Sequence, residues 1–238
     1  MKSSIWLCVS CASFLSGLDV ASIPDLQSKL TVTKLKTFVL RAVTDLESSQ
    51  LNQWAFKVVR YENEEGENSS SIERFDPRHQ PNPWQLIRLN NREPTDKEKH
   101  DFQLRKHNSD ISVPLRLSEI IQSDSLSVIY EDDSYISASF DVHLERLGAD
   151  ASENLNGTLM FAKQEAFIES VKITNSDSFS PVLAANIDSL TLTLEFVKIN
   201  DAILTHRIDL RMRGSFGLFM EINEVSADIF SDYQFVGL

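Results

Sequence analysis

The sequence predicts a mainly β fold of the α+β class, in which a curved antiparallel sheet or incomplete barrel has a few helices covering its concave face. Three observations support this prediction. Apolar and polar residues alternate over most of the chain after Ser125. Helical periodicity is confined to one long segment near the N-terminus and to short segments before Ser125. The length of 238 residues suits one large β domain, since such domains often contain about 200 to 250 residues.

Period-two alternation identifies the strands of the second half of the chain. Polar residues alternate there with an apolar set, namely Ile136, Ala138, Phe140, Val142 and Leu144. This pattern is typical of a strand with one buried face and one solvated face. It recurs at 190–196, 204–213 and 218–222, and the apolar phase then switches, which predicts a bulge or turn near Asn223. Short links between such strands predict antiparallel pairing.

The first half of the chain contains the helical segments and shorter strands. Leu35, Val39 and Leu46 belong to a helical repeat that predicts an amphipathic helix over about 25–51. Strands are predicted from Trp54, over 72–75 and over 84–89, with a proline-rich turn over 76–83. The segment 62–71 is rich in Glu, Asn and Ser, and it predicts a mobile loop.

Two further helices are predicted between the proline-rich turn and the second half of the chain. Thr95 and Glu98 have the spacing of a capping box, which predicts a polar helix of about ten residues. A second small helix is predicted around 117–121. These helices are the elements available to cover the concave face of the sheet.

The N-terminus has the pattern of a secretory signal peptide. Lys2 precedes a short apolar run over 5–15, and small residues near Ala21 offer a cleavage point. We therefore expect a signal peptide over 1–22, a single curved-sheet ligand-binding domain over 23–238, and a periplasmic or secreted protein. The run is too short to span a bilayer. A buried N-terminal helix is the alternative to a signal peptide.

The cysteines bear on both redox chemistry and anchoring. Cys8 and Cys11 are the two cysteines of the chain, and both lie within the predicted signal peptide. Cleavage would leave a mature chain without thiols, which excludes disulfides and cysteine nucleophiles. Acylation of Cys11 is the alternative outcome, and we rank free export above lipid anchoring. No transmembrane segment is expected in the mature chain.

The charge of the chain argues against nucleic acid as a partner. The formal net charge is -12, and the sequence shows no stripe of Lys and Arg that would displace counterions from phosphates. Basic residues are instead interleaved with acids, as in Arg207, Asp209, Arg211 and Arg213. This interleaving is typical of the solvated face of a strand. A patch for headgroups or an anionic partner is the alternative.

No motif in the sequence indicates catalysis, a metal or a cofactor. The histidines lack the spacing that places two imidazoles on one metal, and no nucleophile elbow, phosphate-binding loop or dinucleotide fingerprint is present. By parity His206 falls with Leu204 and Ile208 on the buried side, as a core histidine or a polar anchor for a ligand. We expect no enzymatic activity, with a hydrolase carboxylate pair left open.

Several segments resemble proteobacterial envelope proteins related to the periplasmic lipoprotein-carrier superfamily, the LolA/LolB-like group. They are LNGTLMF at 155–161, FIESVKITNSDSFSP at 167–181, FSDY at 230–233, RFDP at 74–77 and WQLIRL at 84–89. The resemblance implies an incomplete barrel with helices in its mouth and an apolar concave lining that receives acyl chains. The arginines of this chain fall on the solvated parity, so the cavity arginine of those carriers has no equivalent here.

The predicted function is binding or carriage of a lipid, a lipoprotein acyl chain or another apolar ligand in a concave cavity. The predicted cavity lining consists of Ala138, Phe140, Val142, Leu192, Leu194, Phe196, His206, Leu210 and Met212. The alternative is a non-enzymatic interaction or sensor module of the cell envelope. In that case its own helices fill the concavity, and its rim binds another envelope protein.

Overall fold

A computed structural model of the chain describes residues 23–49, 51–107, 116–144, 148–182, 184–217 and 220–237. The predicted signal peptide over 1–22 lies outside the described residues. Four α-helices are described: α1 (Ile23–Ser48), α2 (Asp96–His107), α3 (Leu117–Ile120) and α4 (Gly148–Asn154). None of the described helices has both the length and the apolar character that are needed to cross a bilayer.

The described strands form one sheet. They are β1 (Trp54–Glu64), β2 (Glu67–Phe75), β3 (Trp84–Leu89), β4 (Ser127–Glu131), β5 (Tyr135–Asp141), β6 (Leu155–Ala162), β7 (Phe167–Asn175), β8 (Ala185–Ile199), β9 (Ala202–Phe216) and β10 (Met220–Phe235). Their order in the sheet is β3-β2-β1-β10-β9-β8-β7-β6-β5-β4, and each neighbouring pair is antiparallel. The sheet is open, with β3 and β4 at its edges, which confirms the predicted fold class.

The helices pack on one face of the sheet, called here the inner face. A first apolar core lies between α1, α3 and strands β5 to β9. It contains Leu35, Val39 and Ala42 of α1, whose spacing places them on one side of the helix. A second core lies over β1, β2 and β3, where Phe102 of α2 packs near Trp84. Over β8 and β9 the two cores lie on opposite faces of the sheet, since the adjacent residues Ile203 and Leu204 belong to different cores.

The predicted mobile loop over 62–71 is wrong, because this segment forms the tip of the β1–β2 hairpin. Pairing runs without interruption from Phe56 and Phe75 to Glu64 and Glu67. Glu65 and Gly66 form the turn with φ values of 52° and 92°, and the second of these suits glycine. The tip is solvated on both faces, so no apolar alternation marks it as strand.

The bulge predicted near Asn223 is also wrong. The pairing of β10 with β9 is continuous from Met220 to Ile229. The apolar phase switches because the polar half of the inner face begins there. Ile222 packs against the first core, whereas Val225 and its alternate neighbours lie on the outer face.

Candidate functional site: the inner face of the sheet

The inner face changes from apolar to polar across neighbouring strands. Cross-strand partners share a face of a sheet, so the strand register defines rows of side chains. In one row Leu192 of β8 pairs with Leu210 of β9, and Leu210 pairs with Ser226 of β10. The row continues through Glu62 of β1 to Ser69 of β2. The boundary between apolar and polar side chains therefore lies between β9 and β10.

The rows on either side follow the same course. In one of them Leu190 pairs with Met212, which pairs with Glu224 of β10. In the other, Ile208 pairs with Asp228 of β10, and Asp228 pairs with Arg60 of β1. Three successive rows therefore place the boundary between the same two strands.

A cluster of buried charges lies on the polar side of this boundary. Arg60 forms ion pairs with Asp228 and with Glu73, whose Oε1 lies 3.1 Å from Arg60 Nε. Lys106 Nζ of α2 lies 3.0 Å from Glu73 Oε2 and 4.4 Å from the centroid of the Trp84 ring. The Glu73 side chain is only 5% exposed. Two cations and two carboxylates thus neutralise one another near the C-terminal end of α2.

Burial shifts the pKa values of Asp228 and Lys106 in this cluster in opposite directions. Desolvation is the largest cause that raises the pKa of Asp228, and the nearby Glu73 adds to it while Arg60 opposes it. Desolvation is also the largest cause that lowers the pKa of Lys106, followed by the positive charge of Arg60. The pKa of Glu224 is raised by burial and by the carboxylates of Glu64 and Glu62.

A cavity of about 540 Å³ opens beside the cluster, between α2 and the first strands. Its polar lining includes Ser69, Ser71 and Arg105, and Leu89 and Phe102 contribute apolar surface. Among the described residues, no group of acidic, histidine or cysteine side chains is arranged to hold a metal ion. The chemistry of this cavity is that of hydrogen bonding and charge pairing.

The predicted cavity residues divide into two sets. Five of them are fully buried members of the first core: Ala138, Phe140, Val142, Leu194 and Phe196. Three are only partly buried, and they lie on the inner face at the apolar side of the boundary: Leu192, Leu210 and Met212. The apolar concavity over β5 to β8 is therefore largely filled by the protein, whereas its margin at β9 is not.

The prediction that His206 lies on the buried side is wrong. Glu195 pairs with Arg207, and the next residue of β8, Phe196, pairs with Thr205. His206 is therefore the extra residue of a β-bulge, and its side chain is exposed. The bulge shifts the parity of β9, so counting from Leu210 back through the bulge assigns the wrong face.

Sequence reasoning missed the charged cluster, and the prediction that the arginines fall on the solvated parity is wrong for Arg60. Its four members come from β1, β2, α2 and β10, and no local motif joins them. One signal was present in β1, where Arg60 follows Phe56 and Val58 at the same parity and so interrupts an apolar face. Its partners could not be identified without the strand order.

Comparisons with known proteins found two solved structures that are similar to the chain at low sequence identity. No protein-family model and no curated protein matches the chain. A solved DUF1329 family protein from Desulfovibrio piger matches 87% of this chain and 94% of its own, with 9% identity and a TM-score of 0.36. The structure of MucB in complex with MucA(peri) covers 84% of this chain and 94% of its own, with 9% identity and a TM-score of 0.22. The resemblance to lipoprotein carriers stays a prediction.

Proposed function

We propose that this chain is an exported, non-enzymatic binding protein that holds an amphipathic molecule, such as a lipid or a lipoprotein acyl chain, against the inner face of its sheet. The apolar portion of the ligand would lie along Leu192, Leu210 and Met212, and the polar portion would enter the cavity beside α2. The abrupt boundary between β9 and β10 carries this proposal.

The boundary matches the two halves of such a ligand. Leu192, the β8 partner of Leu210, packs against the first core, whereas the β10 partner Ser226 begins a polar row that leads to Ser69 at the cavity. Burial of each methylene contributes about 0.8 kcal/mol, so the partly buried strip could hold a hydrocarbon chain without any catalytic group. The cavity lining combines serines with both cations and carboxylates, such as Lys106 and Asp101, which suits the hydrogen-bonding groups of a polar end.

The proposed binding surface differs from the cavity that the sequence predicted. Leu35 and Val39 of α1 have no exposed surface, and they fill the first core where an acyl chain was expected. The strip at β8 and β9 is the part of the predicted lining that keeps accessible surface. The ligand would therefore lie at the margin of the core.

Export and the lack of catalysis rest on the sequence. The Lys2 start and the apolar run over 5–15 have the pattern of a cleaved leader, which would deliver the domain over 23–238 to the periplasm or the outside. No sequence motif indicates a nucleophile or general base. N-terminal sequencing of the protein from its native source tests the cleavage, and Met1 at the mature terminus would contradict it.

The function is tested with fluorescent fatty acids of increasing chain length added to delipidated protein. We expect saturable binding at micromolar or better affinity that tightens with each added methylene. Leu192→Glu should weaken it at least about tenfold, because a carboxylate would lie in the hydrocarbon strip. Thr193→Glu is the matched control, since Thr193 is the partly buried neighbour on the outer face of the same strand, and it should bind like the unmodified protein.

The result that would overturn the proposal is equally specific. Binding that is indifferent to chain length, or that both variants lose alike, would remove the inner face as the binding surface. Circular dichroism of both variants verifies that each one is folded before its binding is compared.

The alternative function, an envelope interaction module, is favoured by one observation. The helix α1 buries Val39, Ala42 and Val43 in the concavity, as expected of a module that fills its own cavity. Native mass spectrometry of protein purified without detergent separates the two functions. A mass that falls after solvent extraction supports a bound lipid, and an unchanged mass with no acyl binding supports the interaction module.

A further inference from the structure

An apolar strip runs along the face of the sheet opposite the helices, called here the outer face. Val59 of β1 pairs with Ile72 on one side and with Ile229 on the other, so three apolar side chains lie next to one another. Tyr61 and Ile87 extend the strip, and they are 42% and 45% exposed. Exposed apolar surface that is contiguous in this way is a common mark of an interaction site.

Cations border this strip on both sides. In the row through Val59, Arg88 of β3 lies beyond Ile72, and Arg207 of β9 lies beyond Ile229. A depression of about 550 Å³ on this face is lined in part by Ile72, Ile87 and Arg74. The exposed cations of the outer face that form no ion pair with another described residue are Arg74, Arg88, Lys172, Arg211 and Arg213.

Neighbouring cations already neutralise two acids at this face. Arg207 holds the carboxylate of Asp209 with two hydrogen bonds, and Lys57 lies 3.9 Å from Asp232. Glu195 of β8, Glu221 of β10 and Asp141 of β5 also face outward. The exposed arginines therefore remain available for a partner, in contrast to Arg60 of the inner face, which pairs with two carboxylates.

We propose that the outer face docks onto a bilayer surface that carries anionic headgroups. The apolar strip would enter the headgroup region, and the exposed outer-face cations that form no ion pair, such as Arg88, Lys172 and Arg211, would contact phosphates. Each Lys or Arg near an anionic bilayer contributes about 1 kcal/mol, and a few apolar side chains add the remainder. This proposal is independent of the proposed function, because it uses the opposite face of the sheet.

The breadth of the surface favours a bilayer over an acidic peptide. The cations extend from β3 to β7, which is six strand spacings or about 29 Å measured along the sheet. The interior strands use their backbone groups in the sheet, so the face offers an incoming peptide side chains but no row of free amides and carbonyls. Dispersed cations without a backbone edge suit a wide anionic surface.

The net charge of -12 does not prevent this docking at physiological ionic strength. Screening reduces interactions beyond about 8 Å in 0.15 M salt. Acids on the helices, such as Glu98 and Asp101 of α2, lie on the far side of the sheet. The bilayer would therefore respond chiefly to the charges of the outer face.

The test is co-sedimentation of the purified protein with vesicles. Vesicles of phosphatidylcholine mixed with phosphatidylglycerol are compared with vesicles of phosphatidylcholine alone. We expect binding to the anionic vesicles that weakens as salt is added. Removing two outer-face cations, with Arg211→Gln and Arg213→Gln together, should lower binding at least about tenfold. Ile87→Ser should also weaken it, without changing its salt dependence.

A double variant of the same charge is the matched control. Arg41 of α1 and Lys97 of α2 are exposed, with side chains that are 83% and 84% accessible, so Arg41→Gln with Lys97→Gln should bind like the unmodified protein. Equal losses in both double variants, or no preference for anionic vesicles, would overturn the proposal. Binding to polyglutamate without vesicle binding would also overturn it and would assign the face to an acidic protein partner.

The same assay distinguishes this proposal from the proposed function. Leu192→Glu should weaken binding of the acyl probe and leave vesicle binding unchanged. Arg211→Gln with Arg213→Gln should weaken vesicle binding and leave binding of the acyl probe unchanged.

Discussion

At the scale of single residues, the buried charges of the inner face are the least expected feature. Glu73 neutralises both Arg60 and Lys106, and its Oε1 also accepts a hydrogen bond from Ser71 Oγ at 3.0 Å. Buried ion pairs of this kind add little to stability as a whole, but removing one partner leaves the other charge uncompensated. Glu73 is the member whose loss would leave two cations.

Replacing Glu73 measures how much the stability of the protein depends on this carboxylate. Glu73→Gln should lower the free energy of unfolding by about 3 kcal/mol, because Arg60 and Lys106 would then share only Asp228. Glu62→Gln is the control, since Glu62 is an exposed acid on the same face, and it should change stability by less than about 0.5 kcal/mol. Urea denaturation at neutral pH measures both. Equal stability of the two variants would mean that water, and not Glu73, compensates the charges of Arg60 and Lys106.

Residue-level predictions succeeded where the strand parity was regular. Ala138, Phe140 and Val142 were placed on the buried face by alternation alone, and all three are buried. His206 was misplaced because one extra residue reverses the parity, and nothing in the sequence distinguishes it from a regular strand position. The half-buried margin was likewise not predictable, since it depends on how far α1 reaches over the sheet.

At the scale of elements, α2 connects the second core with the polar cavity. Its N-terminus has the predicted capping box: Thr95 N donates to Glu98 Oε2 at 2.8 Å, and Glu98 N donates to Thr95 Oγ1 at 3.3 Å. Arg92 adds an ion pair to the same carboxylate, and these contacts lower the pKa of Glu98 to about 2. Further along the helix, Gln103 donates to the Trp84 carbonyl.

Loss of the cap should loosen α2 from the sheet. Thr95→Ala should lower the free energy of unfolding by about 1 kcal/mol, because the Glu98 amide loses its acceptor. Thr95→Ser keeps the hydroxyl oxygen and should retain stability to within a few tenths of a kcal/mol. Thermal unfolding followed by circular dichroism compares the variants. If both variants match the unmodified protein, the packing of Phe102 alone holds the helix.

Element boundaries were predictable where local chemistry determines them. The strand over 84–89 and the helix after Thr95 match β3 and α2, because a proline-rich turn and a capping box delimit them. The helix α4 was not predicted, since 148–154 contains a Gly start and few apolar residues. The β1–β2 hairpin was missed for a related reason, as its tip pairs through the backbone and not through a buried face.

At the scale of the whole molecule, the two cores share their strands. Leu194 and Phe196 of β8 belong to the first core, while Val197 and Ile199 of the same strand pack against the second. Neighbouring residues of β9 divide in the same way, with Ile203 in the first core and Leu204 in the second. Loss of either core would therefore remove strands that the other requires, which favours a single cooperative transition.

The tryptophans provide a direct test of this coupling. Trp54 and Trp84 both lie in the second core, so in a Trp6→Phe background the tryptophan fluorescence reports unfolding of that core. Leu35→Ala removes a fully buried side chain from the first core, and it should lower the free energy of unfolding by about 2 to 4 kcal/mol. If the cores are coupled, the fluorescence and circular dichroism transitions shift together to lower urea concentration. Leu40→Ala, at an exposed position of the same helix, should shift neither by more than about 0.5 kcal/mol. An unshifted fluorescence transition beside a shifted circular dichroism transition would show instead that the sheet unfolds in two independent halves.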